Sequence, residues 1–414
     1  MRYPEKSWKK GLFLALVAVG LLSGNLYRKG FWDENQINVY ASAAKSVADV
    51  RFDPKAGLAD HAMHIAVWPL AIVNFYPPFL PFYESKKSRQ APLRNGSAIL
   101  SDLGAEKISF QTDDGVTLDG VYLSAEKYFQ NREAAFQKWR AIFSQREEAV
   151  SHAFYEIQDD GENFEALFGL PAEVLKREEK GSIKGVVYCF GVGNLYEWNI
   201  AAATMYLARG KDVLFFNYRG HGKSEKVLPG WEGTSLDGKA AVNELKRRLN
   251  CDYSNLLVHG YSLGSGPAVY SGVACPGLNV LIDRGFSRLS FVASQRISRF
   301  ATLFKPILVN SVERFYRYPN EDWIGLIKGR VLIVEGINDT YIISENAKKL
   351  FKALAIARLG ENPEEDALTA LEKEHWIKVK GGHTSQKNHN GESAWPADSK
   401  AQQLLTEFLE KSES

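Results

Sequence analysis

The feature that most limits how this chain can fold is a series of short apolar runs, each released into a loop and then a helical stretch. "GVVYCF" (185–190), "KDVLFF" (211–216), "NLLVHG" (255–260), "LNVLID" (278–283), "RVLIVEG" (330–336) and "HWIKVKG" (375–381) follow one another in this way. Strands that are apolar at nearly every position, rather than at alternate ones, are buried on both faces. Between the runs lie amphipathic segments such as "SLDGKAAVNELKRRLN" (235–250), with its basic residues near the C-terminal end, where the helix dipole favours them. A hairpin precedes the series: "ISFQTDDGVTLDGVYLSA" (108–125) is two alternating runs around Asp114-Gly115. Strands and helices alternating at this length specify an α/β domain, with a mostly parallel sheet and helices on both faces.

Composition narrows the partners. The chain is 45% hydrophobic and 24% charged, as an ordinary globular protein is. A formal net charge of +2 gives no support to nucleic-acid binding, which needs a strongly basic face. Cys189, Cys251 and Cys275 are far apart and make no C-x-x-C, so they read as small buried hydrophobes. They form neither a disulfide framework nor a metal cage. No metal or cofactor is expected.

The first 95 residues differ from the rest. "GLFLALVAVGLLSGNLY" (11–27) is uncharged and follows Lys6, Lys9 and Lys10. That pattern suits a membrane anchor, with an export signal as the alternative. A second uncharged run, "AMHIAVWPLAIVNFYPPFLPFY" (62–83), is long enough to cross a bilayer but carries Pro69, Pro77, Pro78 and Pro81. It reads either as membrane-contacting or as an apolar arm around the soluble domain. Lys and Arg cluster outside both runs, at residues 2–10 and 86–94. By the positive-inside rule the two runs form a hairpin and the rest of the chain, from about residue 96, is cytoplasmic.

One serine stands out. In "LLVHGYSLGSG" (256–266) Ser262 follows a buried strand, precedes a helical stretch and lies between glycines. A strand-to-helix turn is the context in which G-x-S-x-G lifts a nucleophilic hydroxyl above a sheet. Taken in order, the hairpin, "NYRGHGKS", "GYSLGSG", "VEGINDTYI" and "KGGHTS" resemble an α/β-hydrolase of the esterase, lipase or thioesterase type. The resemblance runs from about residue 100 to the end, which suggests an N-terminal region at 1–95 and an α/β-hydrolase fold at 96–414. It implies a nucleophile, an acid and a histidine in that order along the chain. Ser262, Asp339 and His383 match these positions. A serine hydroxyl needs a contacting base, and the base needs a carboxylate to fix its tautomer. All three follow predicted strands, at the sheet edge where open α/β sheets place their sites.

Rivals are present. Asp283 ends "LNVLID", and some members of the fold take the acid there, but Arg284 follows it and can pair with it. His375 lies at the wrong end of its strand, His221 sits in a loop near the site, and His389 falls too late. Two backbone N–H groups are needed for the oxyanion. Leu263 is one candidate. Val192, after "GVVYCF", is the other, although Phe190-Gly191 stands where the family usually has His-Gly. Two nucleotide-like stretches fail. "GVGNLY" has Tyr196 where the third glycine belongs, and "GTSLDGKA" has Ala240 in place of the Mg²⁺-binding hydroxyl residue.

Two segments are expected over the sheet. An insertion at 124–182 begins as an amphipathic helix, with Phe129, Phe136, Trp139, Phe143, Val150 and Phe154 on one face. It packs on the domain or the N-terminal arm, or meets a protein partner or membrane. A helical lid at 284–323, rich in Phe, Ile and Leu, favours acyl chains. The expected activity is hydrolysis of carboxylic esters or thioesters with an apolar acyl part. The alternatives are a catalytically silent membrane adaptor and a serine peptidase on the same fold.

Overall fold

Helix α1 (Gln90–Asp102) leads into strands β1 (Glu106–Gln111) and β2 (Thr117–Leu123) and helix α2 (Ala125–Ser144). Then come β3 (Gly185–Cys189), α3 (Ile200–Leu207), β4 (Asp212–Phe216) and α4 (Trp231–Leu249). The central strand β5 (Leu256–Tyr261) is followed by α5 (Ser265–Ala274), β6 (Asn279–Asp283), α6 (Leu289–Arg296) and the short α7 (Asn320–Trp323). The chain continues through β7 (Val331–Gly336), α8 (Glu345–Leu359), α9 (Glu365–His375), β8 (Trp376–Val379) and α10 (Ser399–Glu410). This computed structural model describes residues 90–144, 183–191, 195–225, 227, 230–296, 306, 309–310, 312–313, 317–379, 382–383 and 399–410. The two apolar N-terminal runs, the second half of the insertion, Val192 and His389 lie outside them.

The eight strands form one sheet in the order β1-β2-β4-β3-β5-β6-β7-β8. Strand β2 pairs antiparallel with β1 and with β4, and every other pairing is parallel. β3, β5, β6 and β7 are buried at every position. Because successive side chains point to opposite faces, such strands need cover on both sides. Helices α4 and α5 pack on each other and on the central strands, and α8 packs on β7. Among the described residues no helix is long and apolar enough to cross a membrane.

Residues 86–288 and 318–414 make one compact unit. Helix α1 straddles residue 95, yet its Ile99 and Leu100 are buried in the same core as the sheet. Helix α2, the first part of the insertion, is fastened to α1. The Trp139 indole N–H donates to Asp102 at 2.7 Å, and the buried Trp139 and half-buried Phe129 and Phe136 join the core. The segment 289–317 belongs to a second unit and is described by itself. It holds α6, and there the Ser290 hydroxyl donates to the Glu313 carboxylate.

Candidate active site

Strand β5 ends at Tyr261, and the chain reverses into α5 through one turn of tight helix, Ser262–Gly264. Ser262 itself holds φ at +52°, in the left-handed region that costs a residue with a Cβ. The flanking glycines are required by space. A Cβ on Gly264 would stand 1.9 Å from the Cys189 carbonyl oxygen, and one on Gly260 would stand 2.5 Å from the Gly264 oxygen. Both obstacles are backbone and cannot swing aside. Gly191, after β3, also runs close: a Cβ there would come 3.3 Å from the Ser262 Cβ. Phe190, where a histidine was expected, is buried and packs edge-on against Tyr218 at 4.9 Å. It is a core residue in this chain.

The structure brings the three candidate residues into one hydrogen-bonded row. Ser262 Oγ lies 2.8 Å from His383 Nε2, and His383 Nδ1 lies 2.7 Å from Asp339 Oδ2. The other carboxylate oxygen, Asp339 Oδ1, accepts the backbone N–H groups of Tyr341 at 2.7 Å and Ile342 at 2.8 Å. With both oxygens occupied, the carboxylate presents one fixed edge to the imidazole. This arrangement suits the tautomer with the proton on Nδ1, which leaves Nε2 free to accept from the serine. The His383 ring stacks with two tyrosines, Tyr261 at 5.6 Å and Tyr341 at 5.4 Å, each tilted 24°. Leu263, next after the serine, is buried in the turn that opens α5, where backbone N–H groups favour negative charge.

The rival acid is engaged elsewhere. Asp283 ends β6 and is bound through both oxygens by Arg284, Nε to Oδ1 at 2.9 Å and Nη2 to Oδ2 at 3.0 Å. Burial, the largest single influence, would raise the Asp283 carboxyl, but the Arg284 charge and hydrogen bonds, together with His259, outweigh it and hold the group far below the ordinary range. Beneath it lies His259, with Nδ1 at 2.7 Å from the Tyr206 hydroxyl and Nε2 at 3.4 Å from Asp283, too poorly placed for a hydrogen bond. Burial pushes this imidazole below its usual range, against the pull of Asp283. His375 ends α9, its Nδ1 against the Val331 carbonyl, and His221 lies in its loop with Nδ1 at 3.1 Å from the Arg219 carbonyl. Neither joins the row.

Several site residues were not foreseen. Arg219 ties the loop after β4 to buried Asp237 at 2.8 Å and to Asp114 of the hairpin turn at 2.7 Å. That hydrogen bond to Arg219 is the main reason the Asp114 carboxyl falls to about 2. Arg284, Tyr261 and Tyr341 surround His383, and only their three-dimensional pairing reveals it. Glu197 is a buried carboxylate in the turn that follows the loop after β3, and burial pushes it up to about 7. The three cysteines are free; Cys189 and Cys275 are buried, whereas Cys251, read from sequence as buried, is half-exposed, and burial holds the Cys189 thiol up at about 12. No group of three or more His, Cys, Asp or Glu that could hold a metal occurs among the described residues.

A sheet of this strand order, with a strained serine at the end of its central strand, decides the architecture. The chain has the α/β-hydrolase fold. It matches no protein-family model. Over 110 residues it is 34% identical to the multifunctional-autoprocessing repeats-in-toxin protein of Vibrio cholerae, a match that covers 24% of this chain and 2% of the toxin. Over 162 residues it is 28% identical to the uncharacterized protein YfhR of Salmonella typhi, covering 36% of this chain and 51% of YfhR. The chain thus spans about half of one of these relatives and a small part of the other. Among solved structures, it is similar to an α/β-hydrolase from Vibrio vulnificus, with TM-score 0.47, 14% identity and coverage of 81% of this chain and 89% of that one. It is also similar to the Pyrococcus furiosus esterase Pf2001, with TM-score 0.45, 16% identity and coverage of 75% and 92%. The Pyrococcus horikoshii acylaminoacyl peptidase gives TM-score 0.44, 15% identity and coverage of 75% and 42%. Identities this low carry no information about the substrate of an α/β-hydrolase-fold chain.

Proposed function

We propose that this protein is a serine hydrolase acting on carboxylic esters or thioesters with an apolar acyl part. The observation that carries the reading is the continuous row Ser262–His383–Asp339, with contacts of 2.8 and 2.7 Å. Ser262 Oγ attacks the substrate carbonyl while His383 Nε2 takes its proton. Asp339 holds the imidazole in the required tautomer and stabilises the imidazolium as it forms. The oxyanion is held by the backbone N–H of Leu263 and by that of Val192, assigned from its place after β3. His383 then returns the proton to the leaving group, and water attacks the acyl-enzyme with the same histidine as base. The preference for apolar acyl groups rests on the composition of the 284–323 segment. A place at a membrane, with the catalytic domain on the cytoplasmic side, rests on the two uncharged N-terminal runs and their basic flanks.

A fluorophosphonate probe and a panel of p-nitrophenyl esters of increasing chain length test the reading together. The expected result is labelling at Ser262 and hydrolysis that favours longer acyl chains. Ser262→Ala should abolish labelling and lower turnover by about 10⁶, since members of a triad act as a unit. Unchanged ester hydrolysis in that variant would remove the assignment. Labelling without ester turnover, joined by cleavage of peptide anilides, would move the protein to the peptidases.

A further inference from the structure

His383 stands just past the end of β8, and the sheet itself does not hold it. Two side chains reach its backbone instead. Arg284 Nη1 donates to the carbonyl oxygens of Gly382 at 3.2 Å and His383 at 3.1 Å. The Tyr261 hydroxyl donates to the same His383 carbonyl. Tyr261 is the residue immediately before Ser262, so this bond ties the backbone of the base to the strand that carries the nucleophile.

Both donors are themselves fixed. The remaining guanidinium edge of Arg284 is spent on Asp283, and its plane lies 4.8 Å from the centre of the Tyr261 ring. Arg284 takes a left-handed backbone, φ +46°, while its N–H donates to the Val334 carbonyl at 2.8 Å on the neighbouring strand. That turn sends the side chain back over the sheet edge. Gly336 makes room for it: a Cβ there would meet the Arg284 Cδ at 3.2 Å and the Asp339 Cβ at 3.3 Å. The sheet register places Asp283 opposite Tyr261 on one side and Val334 on the other. Behind Asp283 stand His259 and then Tyr206 of α3, which shield the pair from water.

From this arrangement we infer that Arg284 and Tyr261 are positioning residues. They clamp the main chain of His383 so that its ring meets Ser262 and Asp339 at once. The inference rests on the triad reading above. A guanidinium is suited to the task because it is planar, always charged and offers several N–H groups at fixed angles. It satisfies a buried carboxylate on one edge and two carbonyls on the other. A lysine keeps the charge opposite Asp283 but cannot reproduce that fork. Loss of the clamp leaves the pocket in place and lets the imidazole drift. The cost therefore falls on turnover, where a displacement of about 1 Å is worth roughly a hundredfold.

The test compares the full-length protein with Arg284→Lys, Arg284→Met and Tyr261→Phe. For each, kcat and KM are measured on a p-nitrophenyl ester, together with the rate of fluorophosphonate labelling. The downfield proton resonance of the His383 Nδ1–H bonded to Asp339 is recorded, and a thermal melt checks folding. Arg284→Lys should lower kcat and the labelling rate about tenfold to a hundredfold, leave KM within about twofold, and weaken or shift the resonance. Arg284→Met should be worse than Arg284→Lys, and partial rescue by lysine marks the shared charge. Tyr261→Phe, which leaves the Asp283–Arg284 pair intact, should act in the same direction by about tenfold even if the arginine variants fail to fold. Wild-type kcat and an unchanged resonance in folded Arg284→Lys or in Tyr261→Phe would overturn the clamp. A wild-type protein that does not label at Ser262 would overturn the triad reading, and the clamp with it.

Discussion

Strands β6 and β7 lie side by side, and each delivers a carboxylate to the same edge of the sheet. Asp283 closes β6, and Asp339 follows β7 by three residues. By sequence position either could serve as the acid of a hydrolase. Their surroundings separate them. Asp283 is enclosed by its own neighbour Arg284 and faces His259, whose imidazole burial pushes below its usual range. Among the described residues no Lys or Arg pairs with Asp339, which is held by two backbone N–H groups that leave its second oxygen to His383. A carboxylate already neutralised by a guanidinium has little left to offer an imidazolium. Strand position therefore nominates an acid, and the partner it already has decides its work.

The largest expected effect breaks the comparison at Asp339. Asp339→Asn keeps the shape and the backbone hydrogen bonds to one oxygen, but its amide nitrogen can no longer accept from His383 Nδ1. Turnover should fall by about 10⁴, the size seen when a triad histidine is held in the wrong tautomer. Steady-state rates on a p-nitrophenyl ester check it. If Asp283→Asn shows that loss while Asp339→Asn keeps near-normal rates, the two roles are exchanged.

A smaller effect, of a different kind, is expected at Asp283. Asp283→Asn leaves the Arg284 charge buried without a counter-charge, and stability should drop by about 3 kcal/mol. Its folded carboxyl sits well below the ordinary range, so the folded state holds fewer protons there than the unfolded chain. The contribution is therefore complete above the usual carboxylate range and disappears as pH falls. The gap between wild type and variant in urea unfolding should be widest near neutral pH, begin to narrow below about pH 4, and close only as pH falls through the far lower folded value. A gap that does not depend on pH would mean that packing, and not the charge pair, is what the substitution removes.

Sequence exposes some of this comparison and conceals the rest. Ser262 is legible because its turn joins a strand apolar throughout to a helix, and Asp339 and His383 because each follows a strand. That Gly264 is obligatory depends on the Cys189 carbonyl, 75 positions earlier, and no local pattern carries that information. Arg284 and Tyr261 are equally hidden. Their meeting at His383 depends on the register of β5 against β6 and on where the loop after β8 returns. Helix α1 is masked by Pro92 and by Gly96, which read as breakers. Gly96 is there because a Cβ would stand 2.2 Å from the Glu197 carbonyl oxygen, a tertiary reason. Helix α9 is a different omission. Glu365 and Asp366 open it and Lys373 lies in its last turn, a charge order that suits a helix, but it contains no continuous apolar run to mark it.

Glu197 offers the finest test, because it is a buried carboxylate with no arginine paired to it among the described residues. It is 8% exposed, its Oε2 has no hydrogen-bond partner among those residues, and it stands near Asp119, whose own carboxyl burial also raises. Burial, with the Asp119 charge adding to it, lifts Glu197 from 4.5 to about 7, against a Tyr196 hydrogen bond and the Lys223 charge. The folded state therefore binds this proton more tightly than the unfolded chain. Below the unfolded value near 4.5 the group is protonated in both states and has no effect on stability. As pH rises from there to about 7, folding comes to impose a buried charge, and stability falls by on the order of 3 kcal/mol. Glu197→Gln replaces the carboxyl with a neutral group of the same size. It should stabilise the protein by about 3 kcal/mol at pH 8 and by about 1 kcal/mol at pH 5, read from urea unfolding at the two pH values. Equal gains at both pH values would show that Glu197 carries no buried charge at pH 8. The rule separating Asp283 from Asp339 by the cation beside it would then fail at a third buried carboxylate of the same domain.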